Sequence, residues 1–159
     1  MPPSPGMAFP RLELSDLQGD RHSLPDLWQG YGAPALVMIG HSDCDTTRLL
    51  LPYVDRIHRK RDPRSLVVAV LQDGPEAAKA LGEELGLGLP IFLEANPYAL
   101  ARSLDLTTVP TLISVGPEGN ITGVSEAFRR DDVEAFAASA GHPWPFFEPG
   151  DNAPALRPG

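Results

Sequence analysis

Two short, unbroken apolar runs constrain this chain more than any other feature. Leu36 to Ile39 lies between Pro34 and Gly40, and Leu66 to Leu71 follows the helix stop Asp62-Pro63. The first reads as a buried strand, the second as a strand buried on both faces. The stretch between them carries Leu49, Leu50, Val54 and Ile57 on one side and Arg48, Asp55, Arg56 and Arg59 among its polar positions. That is the period of an amphipathic helix. Pro52 removes one of its backbone hydrogen bonds and should kink it. Its basic end, His58-Arg59-Lys60-Arg61, complements the helix dipole. Strands that alternate with helices predict a parallel-containing sheet covered on both faces.

The rest of the chain is punctuated by turn residues. Residues 1–10 are Pro-rich and read as a flexible or loosely docked lead-in. Leu12 and Leu14 share one face of an alternating stretch, and a turn at Asp16–Asp20 leads to Arg21–Leu24, which predicts an N-terminal β-hairpin. Ser23 or Asp26 caps a short helical turn through Leu27 and Trp28, broken by Gly30 to Pro34. Pro75 to Leu85 is helical by composition and closed by Gly86 and Gly88. Ile91-Phe92-Leu93 is a short strand. Asn96 before Pro97 predicts a capped helix running to about Leu104. Thr107 to Val115 reads as a strand with a proline near its start, Pro117 to Asn120 as a turn, and Ile121 to Val124 as the returning strand. Asp131 to Ala140 is a last helix with Val133 and Phe136 inward. One domain is expected over 11–141, with four or five strands in its central sheet. A tail over 142–159 should dock Trp144, Phe146 and Phe147 on the protein's own surface or on a second copy.

Composition narrows the function. The 159 residues are 42% hydrophobic and 21% charged, as in globular proteins, with a net charge of −8. That charge argues against nucleic acid and against an anionic membrane surface. No stretch is as long as a transmembrane helix, and the first ten residues lack the regions of a signal peptide. A cytoplasmic protein is the expectation, with its oligomeric state unassigned.

Cys44 is the only cysteine, which excludes an intramolecular disulfide. It stands between the first buried strand and the helix, where unpaired N–H groups and the positive dipole end favour thiolate over thiol. Hydroxyls of Thr46 and Thr47 in the first turn are candidate donors to it. Asp43 and Asp45 oppose this, since adjacent carboxylates offset a dipole effect of about 0.3–1 kcal/mol. His41, three residues earlier, is a candidate acid–base partner or a loop histidine bonded to backbone or water. His41, Asp43, Cys44 and Asp45 do not have a structural zinc spacing, and no metal is expected. His22, His58 and His142 carry no motif.

Over residues 9 to about 140 the chain resembles the thioredoxin superfamily, in particular its TlpA-like and AhpC/TSA (peroxiredoxin-like) branch. The stretch "LSDLQGDRHSLPDL" resembles that branch's N-terminal hairpin, and "LVMIGHSDCDTTRLLLP" its strand, redox motif and first helix. Cys44 falls on the first cysteine of Cys-x-x-Cys and Pro52 on the kinking proline. Val109-Pro110-Thr111 resembles the cis-proline segment, and Glu118 to Val124 the hairpin after it. The resemblance implies an α/β thioredoxin-like fold, a mixed central sheet with helices on both faces, and an N-terminal β-hairpin extension. It implies a cis Pro110 facing the site, with the backbone of Val109 offering hydrogen bonds to an extended peptide or thiol substrate, and Val109 and Pro110 as the substrate-binding residues.

The departures are specific. Thr47 replaces the resolving cysteine, Met38 a buried acid, and Asp43 a common aromatic. The peroxiredoxin signature wants proline and threonine where Val37 and His41 stand. The implied activity is single-thiol disulfide exchange at Cys44, with Thr47 in the second position and an external thiol such as glutathione to complete it. The alternatives are a one-cysteine peroxidase and a non-catalytic binding module. Expected partners are protein or small-molecule thiols and disulfides, not nucleic acid or membrane.

Overall fold

The structure, a computed structural model, describes residues 2–29 and 34–159. Gly30 to Ala33, expected to break the first helix, lie outside the described residues. In chain order the elements are β1 (Glu13–Asp16), β2 (Arg21–Ser23), α1 (Leu24–Trp28), β3 (Ala35–Gly40), α2 (Asp45–Arg59), β4 (Val67–Leu71), α3 (Pro75–Leu85) and β5 (Ile91–Leu93). They continue with α4 (Ala99–Ser103), β6 (Thr111–Val115), β7 (Ile121–Glu126), β8 (Phe128–Arg129), α5 (Arg130–Ser139) and β9 (Leu156–Arg157).

One sheet runs in the order β2-β1-β5-β4-β3-β6-β7. The β3–β4 and β4–β5 pairs are parallel, and the β3–β6 and β6–β7 pairs antiparallel. Among the described residues the expected four or five strands become seven, because β1 pairs antiparallel with β5 through Ser15–Leu93 and Asp16–Phe92. The N-terminal hairpin thereby extends the sheet edge.

Alternation along the strands divides the core into two layers. Leu36, Met38, Val67, Ala69 and Leu71 pack with residues of α2, α3 and α5. Val37, Ile39, Val68 and Val70 point the other way, onto α1, α4 and Phe9. Residues buried on alternate faces account for the unbroken apolar runs.

Several details depart from expectation. The Asn96–Pro97 bond is cis, and α4 starts only at Ala99, so Asn96 does not cap it. The buried carboxylate of Glu94 instead accepts from the N–H groups of Leu100 and Ala101. β6 begins at Thr111, leaving 107–110 as a loop. In α5, Ala137 is buried with Val133, whereas Phe136 is only partly covered. The lead-in is tied down: the N–H groups of Gly6 and Phe9 donate to the carbonyls of Ile121 and Gly119, and the N–H of Ile121 donates to Met7 O.

Strands β8 and β9 were not expected, and they form a second, two-stranded sheet. The segment leading to β9 is strongly held. Phe146 and Phe147 are buried against Tyr53 of α2, while Trp144 stays 77% exposed. Arg56 of α2 makes a two-pronged ion pair with Asp151, at 2.8 and 2.9 Å. Arg130 lies over the Phe147 ring, 4.4 Å from its centroid, and donates to Ala153 O.

The hydrogen bonds from Arg56 hold the Asp151 carboxyl down at about 2, from an ordinary 3.8. A carboxylate whose folded value is depressed stabilises the fold fully above its unfolded value and loses that contribution as pH falls through the folded one. The anchor should therefore be complete above about pH 4 and lost toward about pH 2. Urea midpoints across this window should fall less steeply for Asp151→Asn than for the unmodified protein. Asp62, also held at about 2, is common to both proteins and cancels in the comparison. Identical slopes would mean that Asp151 does not anchor the tail.

Candidate functional site

The site forms where β3 ends. Leu71 of β4 pairs with Gly40, and Thr111 of β6 pairs with Ile39. The loops that leave these strands therefore meet at one edge of the sheet. The approach of α2 to β3 needs glycine at residue 40: a Cβ there would stand 2.7 and 2.8 Å from the Thr47 side-chain atoms. Thr47 is fully buried in this contact, and its Oγ1 accepts a 3.3 Å hydrogen bond from the His41 N–H.

Cys44 is the N-cap of α2, in extended conformation and half-buried. Its N–H donates to His41 O and its carbonyl accepts from Arg48 N–H. The thiol Sγ lies 3.6 Å from the carbonyl oxygen of Val109, its one hydrogen-bond partner among the described residues. The Val109–Pro110 bond is cis. Pro110 is buried, and its carbonyl accepts from Ala127 N–H at the end of β7. Thr111 Oγ1 donates to Thr108 O at 2.7 Å and steadies the same loop.

The sequence grouped His41, Thr46 and Thr47 around the sulfur, and the structure turns their polar atoms elsewhere. Nδ1 of His41 accepts from Asp43 N–H at 3.0 Å, so the ring proton sits on Nε2. That atom faces Asp73 at 3.8 Å, too far for a hydrogen bond. Thr46 Oγ1 donates to Pro158 O, and Thr47 Oγ1 serves the loop backbone. The side chains of Asp43 and Asp45 are 92% and 82% exposed, so water screens their charge from the sulfur. Met38 is fully buried, where the resembled family places an acid.

Asp73 is a residue that sequence reasoning missed. Its side chain is 3% exposed. Its two oxygens accept from the N–H and the Oγ of Ser42, at 3.0 and 2.5 Å. Gln72 N–H donates to Gly40 O beside it. Arg48 of α2 then donates to Ser42 O at 2.8 Å. The four residues before the helix are thus held at both carboxylate oxygens and at the backbone. One signal was available: Ser42 and Asp73 each lie two residues beyond the paired positions Gly40 and Leu71.

No family model matches the chain, and no curated protein does. Solved structures do. A candidate thiol:disulfide interchange protein, DsbE, from Chlorobium tepidum is 19% identical, with 86% of this chain and 95% of that one covered and a TM-score of 0.75. The thioredoxin domain of a thiol-disulfide oxidoreductase from Bacteroides vulgatus is 24% identical, over 85% and 96% of the two chains, with a TM-score of 0.72. A thiol-disulfide isomerase from Corynebacterium glutamicum is 20% identical, over 83% and 96%, with a TM-score of 0.67. The fold is therefore thioredoxin-like, of the kind found in thiol–disulfide oxidoreductases.

Removing the Asp73 carboxylate leaves the part-buried Ser42 N–H without its partner, which costs up to about 1–3 kcal/mol. Asp73→Ala should lower the stability measured by urea unfolding by that amount and speed hydrogen exchange at the Ser42 amide. Asp73→Asn, which keeps one acceptor oxygen, should lose less. Equal stability and exchange in all three proteins would show that Asp73 does not hold the loop.

Proposed function

We propose that this protein is a thiol–disulfide oxidoreductase that works through the single thiol of Cys44. One observation carries the reading: Sγ sits at the start of α2, 3.6 Å from the carbonyl of Val109, beside Pro110. Likeness in fold to thiol–disulfide oxidoreductases supports it. The substrates are disulfides of proteins or small molecules.

The chemistry needs two exchanges. In the first, the Cys44 thiolate attacks one sulfur of the substrate disulfide. An Sγ–S bond forms, the substrate S–S bond breaks, and the departing thiolate takes a proton from water. The positive end of α2 faces the charge on Sγ before the first attack and again when Cys44 leaves. In the second, an external thiol such as glutathione gives up its proton and attacks the mixed disulfide. Cys44 leaves as thiolate, and a new disulfide is released. The number of disulfides is unchanged: one substrate sulfur is reduced to a thiol, and the sulfur of the external thiol is oxidised in its place. Thr47 offers no sulfur, so the intramolecular release available to a Cys-x-x-Cys pair is absent.

A binding module without turnover is the second reading, favoured by the commitment of the Thr46 and Thr47 hydroxyls to other partners. The one-cysteine peroxidase has less support, since Val37 and His41 occupy its signature positions.

Thr47→Cys separates these readings. Cysteine is smaller than threonine and fits the buried space against Gly40. With glutathione disulfide, the unmodified protein should carry a lasting glutathione adduct on Cys44, seen by mass spectrometry. Thr47→Cys should convert that adduct to an internal disulfide. It should also reduce insulin with a dithiol donor, and more slowly than a full thioredoxin, since Met38 accepts no proton. Equal robust insulin reduction by both proteins would refute the single-thiol mechanism. No adduct, with an inert thiol in both, would leave the binding module.

A further inference from the structure

Residues 155–159 lie across the same site. Leu156 and Arg157 pair antiparallel with Arg129 and Phe128, and Arg130 N–H donates to Ala155 O at 3.0 Å. Beyond this short ladder the chain reaches the start of α2. Thr46 Oγ1 donates to Pro158 O at 2.5 Å, and the Arg157 guanidinium stands 3.7 Å from Asp45. Gly159 packs on the loop before Pro110 so closely that a Cβ would collide with the Val109 carbonyl oxygen and the Thr108 methyl. Thus the segment touches the two residues after Cys44 and the carbonyl that receives its thiol hydrogen bond.

We infer that residues 155–159 are an intramolecular occupant of the peptide site beside Cys44, which must leave before a substrate disulfide reaches Sγ. The occupancy stands on the contacts themselves; its consequence for turnover rests on the reading of Cys44 as the reacting thiol.

The contacts are those of a bound extended peptide rather than of a packed core. Leu156 is 51% exposed, and Pro158 and Gly159 are exposed as well. What holds them is the two-residue ladder with the Arg130–Ala155 backbone bond beside it, one hydroxyl-to-carbonyl bond and one solvent-exposed ion pair. Each contributes little where water competes. The anchor upstream is of another kind, with Phe146 and Phe147 buried and Asp151 paired to Arg56. A firm anchor with a weakly held tip lets the tip open while the rest of the tail stays in place. Charge sets what displaces it. The exposed carboxylates of Asp43 and Asp45 flank the thiol, and the tail meets Asp45 with Arg157. An incoming chain that replaces the tip is therefore an extended peptide with a basic residue near its disulfide.

The test is the rate at which a bulky maleimide alkylates Cys44. It is measured on the unmodified protein, on a chain ending at Ala155, on Arg157→Glu and on Gly159→Leu, with circular dichroism to verify folding. Release of the tip should raise the rate about tenfold in the shortened chain, from loss of the two-residue ladder, one hydroxyl bond and one surface ion pair, each contributing little where water competes. Arg157→Glu and Gly159→Leu keep the chain length and should move the rate in the same direction. The amidated peptide Ala-Leu-Arg-Pro-Gly at millimolar concentration should slow alkylation of the shortened chain again. Equal rates in all four proteins would overturn the occupancy. Gated alkylation without disulfide exchange in any variant would support the occupancy and refute the thiol mechanism. Exchange at equal rates with and without the tip would keep the mechanism and overturn the gate.

Discussion

The site depends on the register between β3 and β6. These strands pair antiparallel with Ile39 opposite Thr111, so the residue before β6, Pro110, lies beside the residue that ends β3. A slip of one residue would invert every side chain of a strand that is buried on both faces. The fully buried Leu36, Val37, Met38 and Ile39 make that slip costly, because both layers of the core are built on them. The meeting of Cys44 with Val109, 65 residues apart in sequence, therefore follows from the pairing of two strands.

Register alone does not place a sulfur. Between Gly40 and α2 the chain crosses a short loop whose anchors come mainly from outside it, with His41 Nδ1 accepting from Asp43 N–H within it. Asp73 grips Ser42, Thr47 takes the His41 N–H, and Arg48 takes the Ser42 carbonyl. The cost is that the polar side chains nearest Cys44 are spent on geometry. A dithiol protein can use the second position of its motif for chemistry. Here Thr47 is fully buried against Gly40 and works as a spacer and an acceptor. In the single-thiol mechanism proposed above, chemistry falls to Sγ, the helix end and whatever thiol arrives.

Much of this was legible from residues. The apolar runs marked β3 and β4 because strands buried on both faces carry no alternation, and α3 and β5 fell between Gly and Pro boundaries that fix their ends. The position of Cys44 ahead of an amphipathic stretch with Pro52 was also readable. Three things were hidden. The start of α4 misled because Asn96-Pro97 has the pattern of a cap, while the acceptor that serves the helix is Glu94, outside it. Asp73 looked like an ordinary turn residue, since its role appears only once β3 and β4 are in register. The tail was opaque for a stronger reason: Phe146 and Phe147 show no periodicity, and nothing local says that Arg157 will face Asp45.

So slight a contact can close a site only if it is tethered. Free in solution, a five-residue peptide held by a ladder of two residues and three polar contacts would bind weakly, because ordering it costs more than those contacts return. Attached to Asp151, the same residues are confined near the groove. Only Asn152 to Ala155 separate the anchor from β9. A tether this short gives an effective concentration in the millimolar range, enough to keep a weak ligand in place for much of the time. It also keeps that ligand replaceable, since a substrate with tighter contacts wins without undoing the aromatic anchor. In a protein without a resolving cysteine this matters for the thiol itself. A mixed disulfide formed at random on Cys44 would persist until another thiol removed it. Under the proposed mechanism, a tip that yields to a fitting peptide favours exchange with that peptide over oxidants that bind too weakly to displace it.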